Sequence, residues 1–129
     1  MATGDEPLPN EERRLTRVSD GLARLFSEYY GRGPSTARSW RCGPYVFCAL
    51  EDCLTTAEEQ LLESGRPDLV RRLRLSFQAA MTETFCGMVG EELGRPIVAY
   101  HSQVVFDPNI CFEIFVLGDE EGDAAAPPS

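Results

Sequence analysis

The run IVAYHSQVVFDPNICFEIFVL, residues 97–117, settles the class of fold before any other stretch does. Two segments rich in β-branched and aromatic residues flank Asp107-Pro108-Asn109, a composition that predicts a hairpin. Asp at the first turn position and Pro at the next is the type I preference. Ile110 to Leu117 is apolar on both faces except at Glu113, so this strand is expected inside a sheet. His101 has the parity opposite to Tyr100, Val104 and Phe106, which points it toward solvent or a partly covered face.

Immediately upstream, Pro67 to Leu93 predicts one long helix, roughly 40 Å at 1.5 Å per residue. Its apolar stripe is Leu69, Leu73, Phe77, Ala80, Thr84 and Met88, widened by Val70, Met81, Phe85 and Val89. That arc exceeds what one small sheet covers, which implies a second helix or a second subunit against it. Gly87, Gly90 and Gly94 predict a kink or an early end. Pro67 and Asp68 suit the first turn, and Arg72 can pair with Asp68 one turn earlier. Arg66, Arg71, Arg72 and Arg74 form a basic patch at that end, read as a salt-bridged helix face. Before it, Thr55 followed by Glu58 is a capping box, so a short helix starts at Thr56 and stops near Gly65.

Further toward the amino end, TARSWRCGPYVFCAL, residues 36–50, predicts a first hairpin broken at Gly43-Pro44, with a central second strand. From about Asn10 to Tyr30, Leu15, Val18, Leu22, Leu25 and Tyr29 recur at steps of three and four and predict an amphipathic helix. Gly31 ends it and Pro34 forbids continuation. The Gly31-Arg32-Gly33-Pro34 turn looks like an anion loop, but phosphate-gripping loops feed the start of a helix, and this one follows a helix end. A helix stop is therefore the favoured interpretation. Gly31, Arg32, Gly33, Pro34 and Arg38 are kept as the candidate site for a small anion or a partner. The order helix, hairpin, two helices, hairpin gives an α+β fold. It has two layers: a four-stranded, mostly antiparallel sheet, and one long and two shorter helices packed on it.

The 129 residues suit one domain, assigned to 13–118, between acidic tails 1–12 and 119–129 that are expected to be disordered. The tails account for most of the net charge of −9, since residues 13–118 hold 13 acids against all 12 arginines. A neutral core disfavours nucleic acid as a partner. No run approaches the roughly 20 apolar residues of a membrane span, and the amino end is no secretory signal, so no membrane insertion and a cytoplasmic location are expected. The chain has no lysine, which excludes a Schiff base and a lysine-bearing phosphate loop. Cys42, Cys48, Cys53, Cys86 and Cys111 make no close C-x-x-C pair and are read as reduced, buried thiols. Their spacing and the single His101 argue against zinc, and no metal or cofactor is expected. A thiol enzyme would need His101 near Cys48, Cys111 and Glu113, which nothing in the spacing demands. Glu51 and Asp52, which end an apolar strand, are read as a solvated turn before a metal or acid–base pair.

GRGPSTAR (31–38), LEDCLTTAEEQLLESGRPDLVRRLRLSFQ (50–78) and the closing EIFVL (113–117) together resemble a bacterial family of small soluble proteins. These carry the MpsC label and are described as components of a sodium-translocating, membrane-potential-generating system. The likeness runs from about Leu15 to Leu117. Its most specific parts are Gly31-x-Gly33-Pro34, Leu54-Thr55 with Glu58, and Ser64-Gly65-Arg66. Cys42-Gly43-Pro44 departs from the Asp- or Gly-containing turn of the family, which leaves strand register there open. The resemblance carries over no catalytic residues. Together with the wide apolar arc of the long helix and the absence of a convincing catalytic constellation, it points to a non-enzymatic accessory or regulatory protein, a homodimer through the long helix, with a membrane complex as a further partner. A small-anion sensor using Arg32 and Arg38, and a thiol-dependent enzyme, are the alternatives.

Overall fold

The computed structural model describes residues 6–119. Its elements are α1 (Glu11–Tyr30), β1 (Thr36–Cys42), β2 (Tyr45–Glu51), α2 (Thr56–Glu63), α3 (Pro67–Leu93), β3 (Ile97–Val105) and β4 (Ile110–Leu117). The strands form one sheet in the order β1-β2-β4-β3, every pairing antiparallel. The expected α+β class and four-stranded sheet are present, and β2 and β4, the two strands with apolar residues on both faces, are the central pair. Of the stretches read as tails, residues 1–5 and 120–129 lie outside the described residues. Within the rest, Leu8 packs on the core, and Glu11 and Glu12 open α1.

Local chemistry explains the boundaries. Gly43, at φ 62°, takes the first central position of a two-residue turn and Pro44 the second, which fixes the register at Cys42↔Tyr45. Gly31 closes α1 at φ 83° and Gly94 closes α3 at φ 71°, left-handed positions that favour glycine. The capping box at α2 is complete: Thr55 Oγ1 accepts from the Glu58 amide, and Glu58 accepts from the Thr55 amide. α3 runs through Gly87 and Gly90 to Leu93, so neither glycine ends it. The 106–109 connection has a cis Asp107–Pro108 peptide in place of the expected type I turn. Asn109 is anchored to the β2–α2 loop, its side chain accepting from the Cys53 and Leu54 amides and its carbonyl from Asp52.

α1 and α3 cover one face of the sheet. Between them lie Val18, Leu22, Phe26, Val46, Leu50 and Phe85 with their neighbours. The contact of the helices is tight at Gly21, where an added Cβ would sit 2.6 Å from the Met88 sulfur. The buried face of α3 differs from the expected stripe. Val70, Arg74, Met81, Phe85, Cys86, Val89 and Leu93 point inward, whereas Leu73, Ala80 and Thr84 are exposed. The apolar arc was wide enough to allow either rotation, and the arginine at position 74 disguised the true inner face as polar.

Candidate functional site

Two features stand out once the side chains are placed: a charged cluster inside the core and an uncovered sheet face outside it. Glu58, completely enclosed at the start of α2, receives both Nε and Nη2 of Arg74 at 2.7 and 2.6 Å. The same guanidinium donates to the Cys53 carbonyl at 2.9 Å and to the Cys111 sulfur at 3.5 Å, and it lies 4.6 Å over the Tyr30 ring. A buried ion pair offsets its desolvation only when its remaining hydrogen-bonding groups are filled, and here they are. Asp68, expected to pair with Arg72, instead meets Arg66 at 3.4 Å on the surface.

Beside this pair, Glu113 on β4 is fully buried and accepts from the Tyr100 hydroxyl at 2.5 Å and the Ser102 hydroxyl at 2.7 Å. Burial dominates its ionisation and pushes its pKa from 4.5 up to about 7, although both hydroxyls and the nearby Arg74 pull the other way. Burial likewise raises Tyr100, with the Glu113 charge and hydrogen bond adding to the effect. Cys53 and Cys111 form a disulfide next to Arg74, which corrects the expectation of five reduced thiols. They lie 58 positions apart in sequence and meet because β4 pairs with β2, whose end leads into Cys53. Cys42 is free and exposed; Cys48 and Cys86 are free and buried. Among the described residues no buried side-chain nitrogen or oxygen lacks a hydrogen-bond partner.

The sequence candidates are distributed rather than gathered. Arg32 Nη1 donates to the Leu54 carbonyl at 3.0 Å and faces Glu59 at 3.8 Å, so it ties the end of α1 to the start of α2. Gly31 and Gly33 with Pro34 form the turn that delivers it. Arg38 lies on the opposite face of β1 from the core, 5.7 Å over Trp40, and borders a groove that also holds Glu11, Glu12 and Asp20. His101 is exposed on the open side of β3, whereas Cys48, Cys111 and Glu113 face the helices. The histidine is thus on the other face from the Cys48 thiol and the bonded Cys111, although His101 and Cys111 both border a cavity at the β3 edge. Glu51 and Asp52 are exposed, and Asp52 accepts from the Ser35 hydroxyl at 2.5 Å. Among the described residues no group of three His, Cys, Asp or Glu side chains is placed to hold a metal.

Among the described residues nothing covers the side of the sheet away from the helices. Trp40 is 48 % exposed, Tyr45 48 %, Phe47 40 % and Phe112 39 %, all on that side. Register aligns them in rows across the sheet, Trp40–Phe47–Ile114–His101 next to Arg38–Ala49–Phe112–Gln103. Sequence reasoning saw the runs holding Tyr45, Phe47 and Phe112 as central strands and missed that these side chains would share one open face. The available signal was the two-sided apolarity of β2 and β4 with too few helices to cover both faces.

A protein-family model described as "Na+-translocating membrane potential-generating system (MpsC)" matches residues 11–119. No curated protein and no solved structure matches the chain. Among the described residues no helix is long and apolar enough to cross a membrane.

Proposed function

The chain belongs to the MpsC family, and from that premise we propose that it is a non-enzymatic accessory or regulatory component of a sodium-translocating, membrane-potential-generating system, acting by contact. The observation that carries this is the bare aromatic sheet face, a surface for binding. The reactive-looking groups, by contrast, are occupied inside the core: Arg74 holds Glu58 and touches Cys53 and Cys111, which are bonded to each other, and Glu113 is held by the Tyr100 and Ser102 hydroxyls. Self-association was expected through α3, whose exposed large apolar side chains are Leu73 and Leu75; the open sheet face carries Trp40, Tyr45, Phe47 and Phe112. An anion sensor on Arg32 and Arg38 would have to draw Arg32 away from Leu54 and Glu59 and tolerate the acids around Arg38. A thermal-shift screen with phosphate and carboxylates tests it.

The decisive experiment removes the chain from its cells and reads the sodium-dependent membrane potential with a potential-sensitive dye. The potential falls, and re-expression restores it. Restoration is equally complete with Cys48→Ala and with Cys86→Ala, the two free thiols that lie away from the open sheet face. A potential indifferent to the chain overturns its role in the system. Loss of restoration by either folded variant overturns the non-enzymatic assignment.

A further inference from the structure

We infer that the open sheet face is completed by the same face of a second copy of this chain, related by a two-fold axis that crosses the strands. This rests on the chain acting by contact, and it names the partner and the geometry of that contact.

Composition selects the partner class. Of the residues pointing outward from the four strands, only Glu51 is acidic, and it sits at the rim with Thr36 and Ile110. Arg38 is the only arginine among them. A polyanion or an anionic lipid surface would demand a cluster of cations, and a face with one arginine on a chain of net charge −9 does not provide it. A largely apolar face whose one arginine and one carboxylate balance suits another like it. Four strands at about 4.8 Å and about seven residues at about 3.3 Å give a footprint of roughly 19 by 23 Å. With side-chain relief, two such faces approach the roughly 1,000 Å² that separates specific interfaces from incidental contact.

Register then selects the axis. Stacked antiparallel sheets pack about 10 Å apart with strands nearly aligned. If the axis runs across the strands between the two central rows, each row meets the other row of the partner. Trp40 lies over Arg38 of the partner subunit, Phe47 over Ala49 of the partner subunit, and Ile114 over Phe112 of the partner subunit. Each large group thus faces a smaller or complementary one, and the two Arg38 side chains stay apart. The stacking of Arg38 on Trp40 seen within one chain shows that this pairing is compatible. One row further out, Tyr45 comes over Glu51 of the partner subunit, where a hydroxyl can satisfy a carboxylate. An axis along the strands would instead place each row over itself.

Light scattering coupled to gel filtration measures the mass of the full chain, 14.3 kDa as a monomer. The parent is expected to run as a dimer at micromolar concentration, and Phe47→Glu as a monomer with a cooperative melt. Leu75→Glu, at an α3 residue that is 62 % exposed, is expected to stay dimeric. A monomeric parent, or a dimer broken by Leu75→Glu and spared by folded Phe47→Glu, overturns the inference. The axis is tested separately with a bismaleimide spanning about 10 Å. Cys42 faces Thr36 of the partner subunit, so Thr36→Cys is expected to cross-link to a covalent dimer. The parent, whose two Cys42 thiols lie about 20 Å apart along six residues, is not. Efficient cross-linking of the parent, or none with a dimeric Thr36→Cys, refutes this axis. A monomer that nonetheless restores the membrane potential refutes the second copy while leaving the accessory role in place.

Discussion

Replacing Glu113 by Gln removes an ionisation that the core resists, and the size of the effect follows from the burial of that carboxyl. In the folded chain its pKa lies near 7, against 4.5 ordinarily, because the fully enclosed side chain is cut off from water. The folded state therefore holds its proton more tightly than the unfolded state does. The stability associated with that proton is whole below about pH 4.5 and is lost as pH rises toward 7. At 1.36 kcal/mol per pH unit the whole loss is about 3 kcal/mol, with about 2–3 kcal/mol of it falling between pH 5 and pH 8. Gln is neutral throughout and still accepts from Tyr100 or Ser102, so any cost of its own is independent of pH. Urea denaturation of parent and Glu113→Gln across that interval isolates the carboxyl, since Glu11 and Asp68, whose pKa values are lowered, titrate alike in both proteins. The stability difference is expected to swing in favour of Gln by about 2–3 kcal/mol as pH rises. A difference constant to within about 0.5 kcal/mol would refute the claim that this carboxyl is destabilised by burial.

Arg74→Ala leaves Glu58 enclosed without its partner and is expected to cost about 3–5 kcal/mol. In a denaturation double-mutant cycle with Glu58→Gln, the second change costs much less once the first is made. Gly21→Ala puts a methyl against the flexible thioether end of Met88, which can shift aside, while alanine favours the helix, so a thermal melt is expected to show a net change of no more than about 1 kcal/mol. Thiol labelling of the native chain is expected to modify Cys42 quickly. Cys48 and Cys86 should react slowly, because burial raises them to about 12 and about 11. Denaturation without reductant exposes three thiols and with reductant five, and five in both cases would contradict the Cys53–Cys111 bridge.

Much of the fold is written locally. The Thr55–Glu58 box, Gly31, Gly94 and the Gly43-Pro44 turn act through their own backbone neighbours, so a reader of residues finds them. Distant contacts leave no such mark. Glu58 announces a helix cap, but its second duty to Arg74 depends on where α3 lies across α2. Nothing near Cys53 indicates Cys111, and nothing near Gly21 indicates Met88. The inner face of α3 was misjudged because the arc was apolar in two rotations and the choice between them is made by the sheet. The candidate surface was half visible: Phe47 and Phe112 were recognised as belonging to central strands, yet two-sided apolarity reads the same whether a second layer is present or absent. The glycine turn, in contrast, was correctly read as a helix stop, because the sign of a helix dipole is fixed by chain direction.

The position of β4 between β2 and β3 also shapes how the molecule is made. The strand carrying Cys111, Glu113 and Phe115 is made after the six other elements described, yet it occupies the middle of the sheet. Until it arrives, Val46, Cys48 and Leu50 line an unfinished edge, and the long helix has only a hairpin to rest on. Folding must therefore wait for β4 to reach β2, more than 50 positions earlier in the chain. Such long-range closure is slow and leaves sticky strand edges open meanwhile, so the elements made earlier gain their stability together, when β4 docks.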